Sequence, residues 1–189
     1  MGGGGSRMRS DQYTEGGPTL SDIFRSSPLI NAGRGKRKYI SRQESFYLSE
    51  LLFACQQGEF RTVEILLKEG HDVNEVDKYG RTPLIHACEK GYHDMVTLLI
   101  DRKANINSQE KRYGKTALIS ASMTGDEKLL ATLLEKGADI NIVDKFGKSA
   151  LYCAIELHHK SIALALLAGC ANTDSRNEVG RTALLEVSY

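Results

Sequence analysis

The sequence predicts an all-α solenoid of stacked helix-turn-helix units, and three observations predict it. A short phrase recurs four times, as Lys78-Tyr79-Gly80-Arg81, Arg112-Tyr113-Gly114-Lys115, Lys145-Phe146-Gly147-Lys148 and Glu178-Val179-Gly180-Arg181, so its glycines return every 33 or 34 residues. A period of that length marks supersecondary units that share one continuous core. Each phrase is followed by a hydroxyl residue suited to start a helix, and Gly58, Gly91 and Gly125 stand where a first helix must stop. A second run with helical spacing then follows, as in Met95, Val96, Leu99 and Ile100.

The units can be taken in order. The first, residues 47–80, stops its first helix at Gly58 and leaves through Gly70-His71-Asp72-Val73-Asn74. In the second, residues 81–114, Thr82 caps the first helix and Pro83 takes the first helical position, where a missing N–H costs nothing. Gly91 ends that helix because it adopts a left-handed conformation cheaply. The third, residues 115–147, is entered by a turn one residue longer than its neighbours: seven steps separate Asn107 from Gly114, and six separate Asn74 from Gly80. A longer finger is a candidate clamp on a ligand, although surface turns also absorb insertions readily. The fourth, residues 148–180, has His158 at the helix-ending position. A non-glycine residue in a left-handed conformation costs about 1–2 kcal/mol, so this unit is expected to be the softest. Residues 181–189 supply only the first helix of a fifth unit, which is expected to expose Leu184, Leu185 and Val187 and to belong to a longer protein.

These phrases carry a family resemblance. Thr82-Pro83-Leu84-Ile85-His86-Ala87 resembles the T-P-L-H-x-A signature of the ankyrin repeat. Thr116-Ala117-Leu118, Ser149-Ala150-Leu151 and Thr182-Ala183-Leu184 open looser copies, and Gly137-Ala138-Asp139-Ile140-Asn141 is similar to the family's exit G-A-D-V-N. The resemblance covers residues 47–189. It implies an ankyrin-repeat solenoid, L-shaped in section, whose projecting β-turn fingers and first helices form a concave groove used for binding. One departure bears on cohesion. The motif histidine is replaced by Leu52, Ile85, Ile119, Tyr152 and Leu185, so its hydrogen bonds between neighbouring turns are expected to be missing and the coupling softer.

Mapped onto that groove, the fingers present Lys78, Tyr79 and Arg81, then Arg112, Tyr113 and Lys115, then Lys145, Phe146 and Lys148, and finally Arg181; the first helices add Glu89, Lys90, Met123 and Leu157. Aromatic rings offer flat apolar area at low entropic cost, and flanking cations offer charge-assisted hydrogen bonds to carboxylates or phosphates. Two roles are open to the rings: packing between adjacent fingers, or a platform for a partner. The partner implied is a protein, held as a linear segment with acidic or phosphorylated residues or as a folded surface, and not a small-molecule substrate. The module would act as adaptor, scaffold or inhibitor; the alternative is a regulatory ankyrin piece of a larger enzyme, channel or transcriptional regulator.

Other functions find less support. No phosphate-binding glycine motif is present, and no histidine stands at a nucleophile–base or metal-ligand spacing, so no enzyme, cofactor or metal site is expected. The four cysteines, Cys55, Cys88, Cys153 and Cys170, include no C-x-x-C pair and are expected to be reduced and partly buried. A net charge of +1 and a pI near 7.7 fall short of a nucleic-acid footprint. No run of 18 apolar residues occurs and the N-terminus lacks a signal-peptide core, so no membrane insertion and a cytoplasmic or nuclear location are expected.

Residues 1–45 differ from the domain at 46–189. They open on a linker-like Gly/Ser run, Gly2 to Ser6, and hold eight of the 25 Lys and Arg against four of the 24 Asp and Glu. The remainder is therefore slightly acidic. The cluster Arg34-Gly35-Lys36-Arg37-Lys38 suits an import signal or a solvated tail, and Ser27 and Ser41 stand in weak kinase patterns. With only Leu20, Ile23 and Phe24 as an apolar patch, the segment is expected to be disordered and dispensable for folding. Its deletion should leave the melting temperature of residues 46–189 within about two degrees, the scale of roughly 0.6 kcal/mol for a domain of that size; a large drop in calorimetry would mean that Leu20, Ile23 and Phe24 pack on the stack.

Overall fold

The structure is a computed structural model that describes residues 49–186. The expectations for residues 1–45, for the Leu184 side chain and for Val187 lie outside the described residues. The described residues form four helix pairs and a short ninth helix: α1 Glu50–Gln57 and α2 Phe60–Lys68, α3 Pro83–Lys90 and α4 His93–Asp101, α5 Ala117–Thr124 and α6 Glu127–Glu135, α7 Ala150–Glu156 and α8 Lys160–Ala168, then α9 Ala183–Glu186. Among the described residues no helix is long and apolar enough to cross a membrane.

Each first helix starts where a hydroxyl can satisfy an otherwise orphaned amide. The side-chain oxygens of Ser49, Thr82, Thr116 and Ser149 accept from the backbone N–H of Leu52, Ile85, Ile119 and Tyr152 at 3.2 to 3.3 Å. The stop is equally regular: Gly58, Gly91 and Gly125 take φ of 76°, 71° and 74°. His158 takes φ 59° at the fourth stop, as its register predicts. Two further left-handed residues were not foreseen, Lys103 and Cys170, which stand where the other units place Gly70 and Gly137.

The helices stack in two layers. First helices α1, α3, α5, α7 and α9 pack in a row, with α3, α5 and α7 each between two others, which is why Leu84 to Cys88 of α3 are all buried. Second helices bury one stripe only, Val63 and Leu66, then Met95, Val96 and Leu99, then Leu129, Leu130 and Leu133, then Ile162 and Leu166. Leu185 is 50% exposed, as expected of the partial unit.

Units are joined by backbone and asparagine instead of by the motif histidine. The amides of Lys111, Lys145 and Glu178 donate to the carbonyls of Tyr79, Tyr113 and Phe146 in the preceding fingers at 2.7 to 2.8 Å. A second ladder runs along the exits, where Asn74, Asn107 and Asn141 side chains accept from the amides of Asn105, Asp139 and Asn172 at 2.7 to 2.9 Å. Tyr152, at the motif-histidine position, accepts a bond from Asn177 Nδ2 in the next turn at 2.9 Å. The expected loosening between units is thus offset by links that replace the missing ones.

Two glycine-position changes test this register. His158→Gly should raise the unfolding free energy by up to about 1 kcal/mol, since relief of left-handed strain exceeds the added entropy of the unfolded chain. Gly147→Ala should lower it, because a Cβ there would strike the Arg176 carbonyl oxygen and the residue sits at φ 75°. Urea unfolding with an unchanged slope is the readout; a loss on His158→Gly would show an unforeseen contact.

Candidate functional site

Each finger is anchored by one acidic or amide side chain at its base. Asp77 Oδ1 accepts from the amides of Tyr79 and Arg81 at 2.8 and 2.9 Å, and Asp144 Oδ1 accepts from Phe146 and Lys148 at 2.9 Å. Asn177 does the same for Val179 and Arg181. The third finger uses Glu110, whose longer side chain reaches the amides of Arg112 and Tyr113 at 2.5 Å. The length matches the turn. Gly114 N–H bonds back four residues to Glu110, whereas Gly80 and Gly147 bond back three, to Asp77 and Asp144.

That geometry reassigns one residue. Lys111, not Arg112, is the backbone equivalent of Lys145, because both donate to the ring residue of the finger before. Arg112 is the extra residue, and it has a use: its guanidinium lies 5.9 Å from the Tyr79 ring and 4.8 Å from the Tyr113 ring. The three rings therefore form a row in two ways. Tyr113 and Phe146 meet directly, 6.2 Å apart and tilted by 34°, while Arg112 spans Tyr79 and Tyr113. Tyr113 and Phe146 nevertheless remain 36% exposed.

The cations of the row touch rings and acids. Lys78 and Arg81 lie 4.9 and 5.2 Å from the Tyr79 ring, and Lys115 lies 5.4 Å from that of Tyr113. Such contacts contribute about 0.5–1 kcal/mol at exposed sites, less than a hydrogen bond to a charged group at about 1.5–3 kcal/mol, so an arriving anion can re-recruit them. Arg81 also bonds Asp77 at 2.9 Å and Glu89 at 3.4 Å, and Lys148 holds both oxygens of Glu156 at 2.6 and 2.9 Å. A hollow of about 190 Å³ opens between the third and fourth units, walled by Tyr113, Phe146, Met123, Cys153, Lys115, Lys148, Asp144 and Glu156.

The local chemistry favours binding over catalysis. Burial raises the Asp77 carboxyl, but the hydrogen bonds and charge of Arg81 outweigh it and hold the group below the ordinary range. Burial, and then the Arg81 charge, press the neighbouring His86 imidazole down to about 4, although its Nε2 sits 3.1 Å from Asp77 Oδ2. His86 is therefore neutral at pH 7 and donates to Asp77. Desolvation lifts the Glu89 carboxyl against the pull of Arg81 and Lys115. Burial also pushes the thiols of Cys55 and Cys153 up to about 12 and 11 and raises that of Cys88, so these thiols are poor nucleophiles. Cys170 departs from the expected partial burial: it is exposed.

Of the residues singled out from sequence, the structure brings Lys78, Tyr79, Arg81, Glu89, Arg112, Tyr113, Lys115, Met123, Phe146 and Lys148 together through the contacts above. Four stand apart. Lys145 turns back to bond the Lys111 carbonyl, Lys90 is exposed near the end of α3, Leu157 is exposed at the end of α7, and Arg181 is exposed on the last finger. Sequence reasoning missed the anchors Asp77, Glu110 and Asp144. Their signal was the acid three or four residues before each finger glycine.

The fold is that of a repeat-built interaction module. Residues 51–144 match the family model described as ankyrin repeats, in three copies. The chain is similar to an ankyrin repeat protein of fowlpox virus, 43% identical over 61 residues, which are 32% of this chain and 9% of that protein. It is also similar to the B-cell lymphoma 3 protein homolog of Mus musculus, 44% identical over 63 residues, 33% of this chain and 14% of that protein. An ankyrin repeat protein of Escherichia coli is 30% identical over 90 residues, 47% of this chain and 45% of that protein. The chain thus spans less than half the length of each of these relatives. It belongs to the ankyrin-repeat family, whose repeats are protein–protein interaction modules.

The buried histidine gives the site a pH dependence. Its folded value near 4 lies below the unfolded reference of about 6.5, so neutral His86 contributes stability that is full above about pH 6.5 and is lost as the pH falls toward 4. The loss attributable to it is on the order of 3 kcal/mol. Between pH 7 and 4.5, wild-type protein should lose more unfolding free energy than His86→Gln; equal losses would contradict the assignment.

Proposed function

We propose that residues 46–189 form a non-catalytic module, an adaptor, scaffold or inhibitor, that holds an extended acidic or phosphorylated segment of a partner protein in the concave groove. The observation that carries the reading is the row Tyr79, Arg112, Tyr113 and Phe146, which stays partly exposed beside the cations Lys78, Arg81, Lys115 and Lys148. Packing between fingers uses part of each ring. The rest is the kind of rigid aromatic surface on which binding energy concentrates.

A second reading is favoured by the small share of each relative that the chain covers, 9% and 14% in two of them. In that reading the same groove serves as the regulatory part of a longer enzyme, channel or transcriptional regulator. Either way the groove is the contact surface.

Replacing Tyr79, Tyr113 and Phe146 together with alanine should weaken the main partner by at least about 2–4 kcal/mol while leaving the helical signal in place. Partners captured from lysate by wild type and by the triple variant, compared by quantitative mass spectrometry and then titrated individually, provide the measurement. Unchanged binding with an unchanged fold would move the contact surface elsewhere.

A further inference from the structure

The second and fourth units share a clasp that the third lacks. The cation after each finger glycine faces the residue eight positions later, in the last turn of the first helix. Arg81 meets Glu89 at 3.4 Å and Lys148 meets Glu156 at 2.6 Å. The same step from Lys115 reaches Met123. Among the described residues no carboxylate comes within ion-pair distance of Lys115; its contact is the Tyr113 ring at 5.4 Å. A cation at a partly buried wall, with an apolar side chain where its relatives have an acid, is electrostatically incomplete.

The hollow beside it fixes what would complete it. Lys115 and Met123 line the same space of about 190 Å³ as Tyr113 and Phe146, and the other cation there, Lys148, is already neutralised by Glu156. That volume is below the roughly 300–1,000 Å³ of small-molecule pockets, and suits one side chain of a bound segment. Of the two acids on the walls, Glu156 is held by Lys148 and Asp144 accepts the amides of Phe146 and Lys148, while Glu89 acts on Lys115 only from beyond ion-pair distance; Lys115 is therefore the cation there without a contact acid, next to apolar area from Met123 and Phe146. Charge complementarity therefore selects an anion and an apolar group in adjacent positions.

We infer that the third unit is a specificity subsite for an acidic peptide, in which a partner Asp or Glu carboxylate pairs with Lys115 in place of the missing helix acid and the neighbouring apolar side chain enters the hollow between Tyr113 and Phe146. The inference rests on the groove reading given above. Met123 is a specificity determinant because it leaves Lys115 without the helix acid that pairs with Arg81 and with Lys148 in the neighbouring units, and a glutamate there would close the subsite from within.

A phage-displayed library of random 12-residue peptides, selected on wild type and on variants checked for unchanged melting, tests this. Wild type should enrich peptides with an Asp or Glu beside an apolar residue, and the best synthetic peptide should lose tenfold or more in affinity, by titration calorimetry, on Met123→Glu. Met123→Leu should stay within about threefold, which separates charge from shape. Lys115→Glu should shift selection toward Lys and Arg. Peptides that require Tyr79, Tyr113 and Phe146 but show no acidic position, or tolerate Met123→Glu, would overturn the subsite and leave the groove reading standing. Peptides indifferent to the triple alanine variant, or no enrichment at all, would overturn both.

Discussion

The hydrogen bond from the amide of one finger to the carbonyl of the ring residue before it is the constraint on which the rest of this structure depends. Made by Lys111, Lys145 and Glu178 onto Tyr79, Tyr113 and Phe146, it fixes adjacent fingers in register at the position of the rings. Helix packing alone sets the spacing of the units but leaves their turns free to splay. With the link in place the fingers form a continuous ribbon, and the aromatic side chains project from consecutive points along it. The anchors Asp77, Glu110, Asp144 and Asn177 hold each turn in the shape that makes the link possible, by accepting the amides that a tight turn would otherwise leave unpaired.

The third finger illustrates how such a ribbon accommodates change. An extra residue widens the turn, a glutamate replaces the aspartate to span it, and the link onto Tyr79 survives through Lys111. The added side chain, Arg112, then lies between two rings that do not meet directly. Insertion and anchor change together because the amides must still be satisfied. The consequence is a row of fingers whose charge pattern varies along its length, with the cation after the finger glycine clasped at the second and fourth units by Glu89 and Glu156 and by no helix acid at the third.

The architecture was legible because its signals are local. A hydroxyl cap, a helix and a left-handed stop are each decided within about ten residues, and their repetition at 33 or 34 residues leaves one arrangement; even the left-handed His158 follows from register alone. The rings were legible for the same reason. What was not legible depends on turn conformation: that Arg112 is the inserted residue, that Lys145 bends back to the Lys111 carbonyl, and that asparagines at 74, 107 and 141 tie one exit to the next. The expected softness from the missing motif histidine failed to anticipate these links because it considered one side chain and not the backbone beside it. The clasp had a sequence trace, a cation and an acid eight residues apart, but only the folded turn shows that they meet.

The binding role proposed for the finger face requires rigid turns, since a flexible finger would surrender much of the affinity of its ring to ordering entropy. Amide hydrogen exchange by NMR measures that rigidity directly. The account predicts that the amides of Lys111, Lys145 and Glu178 exchange slowly, with protection approaching that of core amides in α3 and α5, although these residues lie in exposed turns. Exchange at the rate of open loops would contradict it, for the fingers would then be independent and the aromatic row an average over many arrangements.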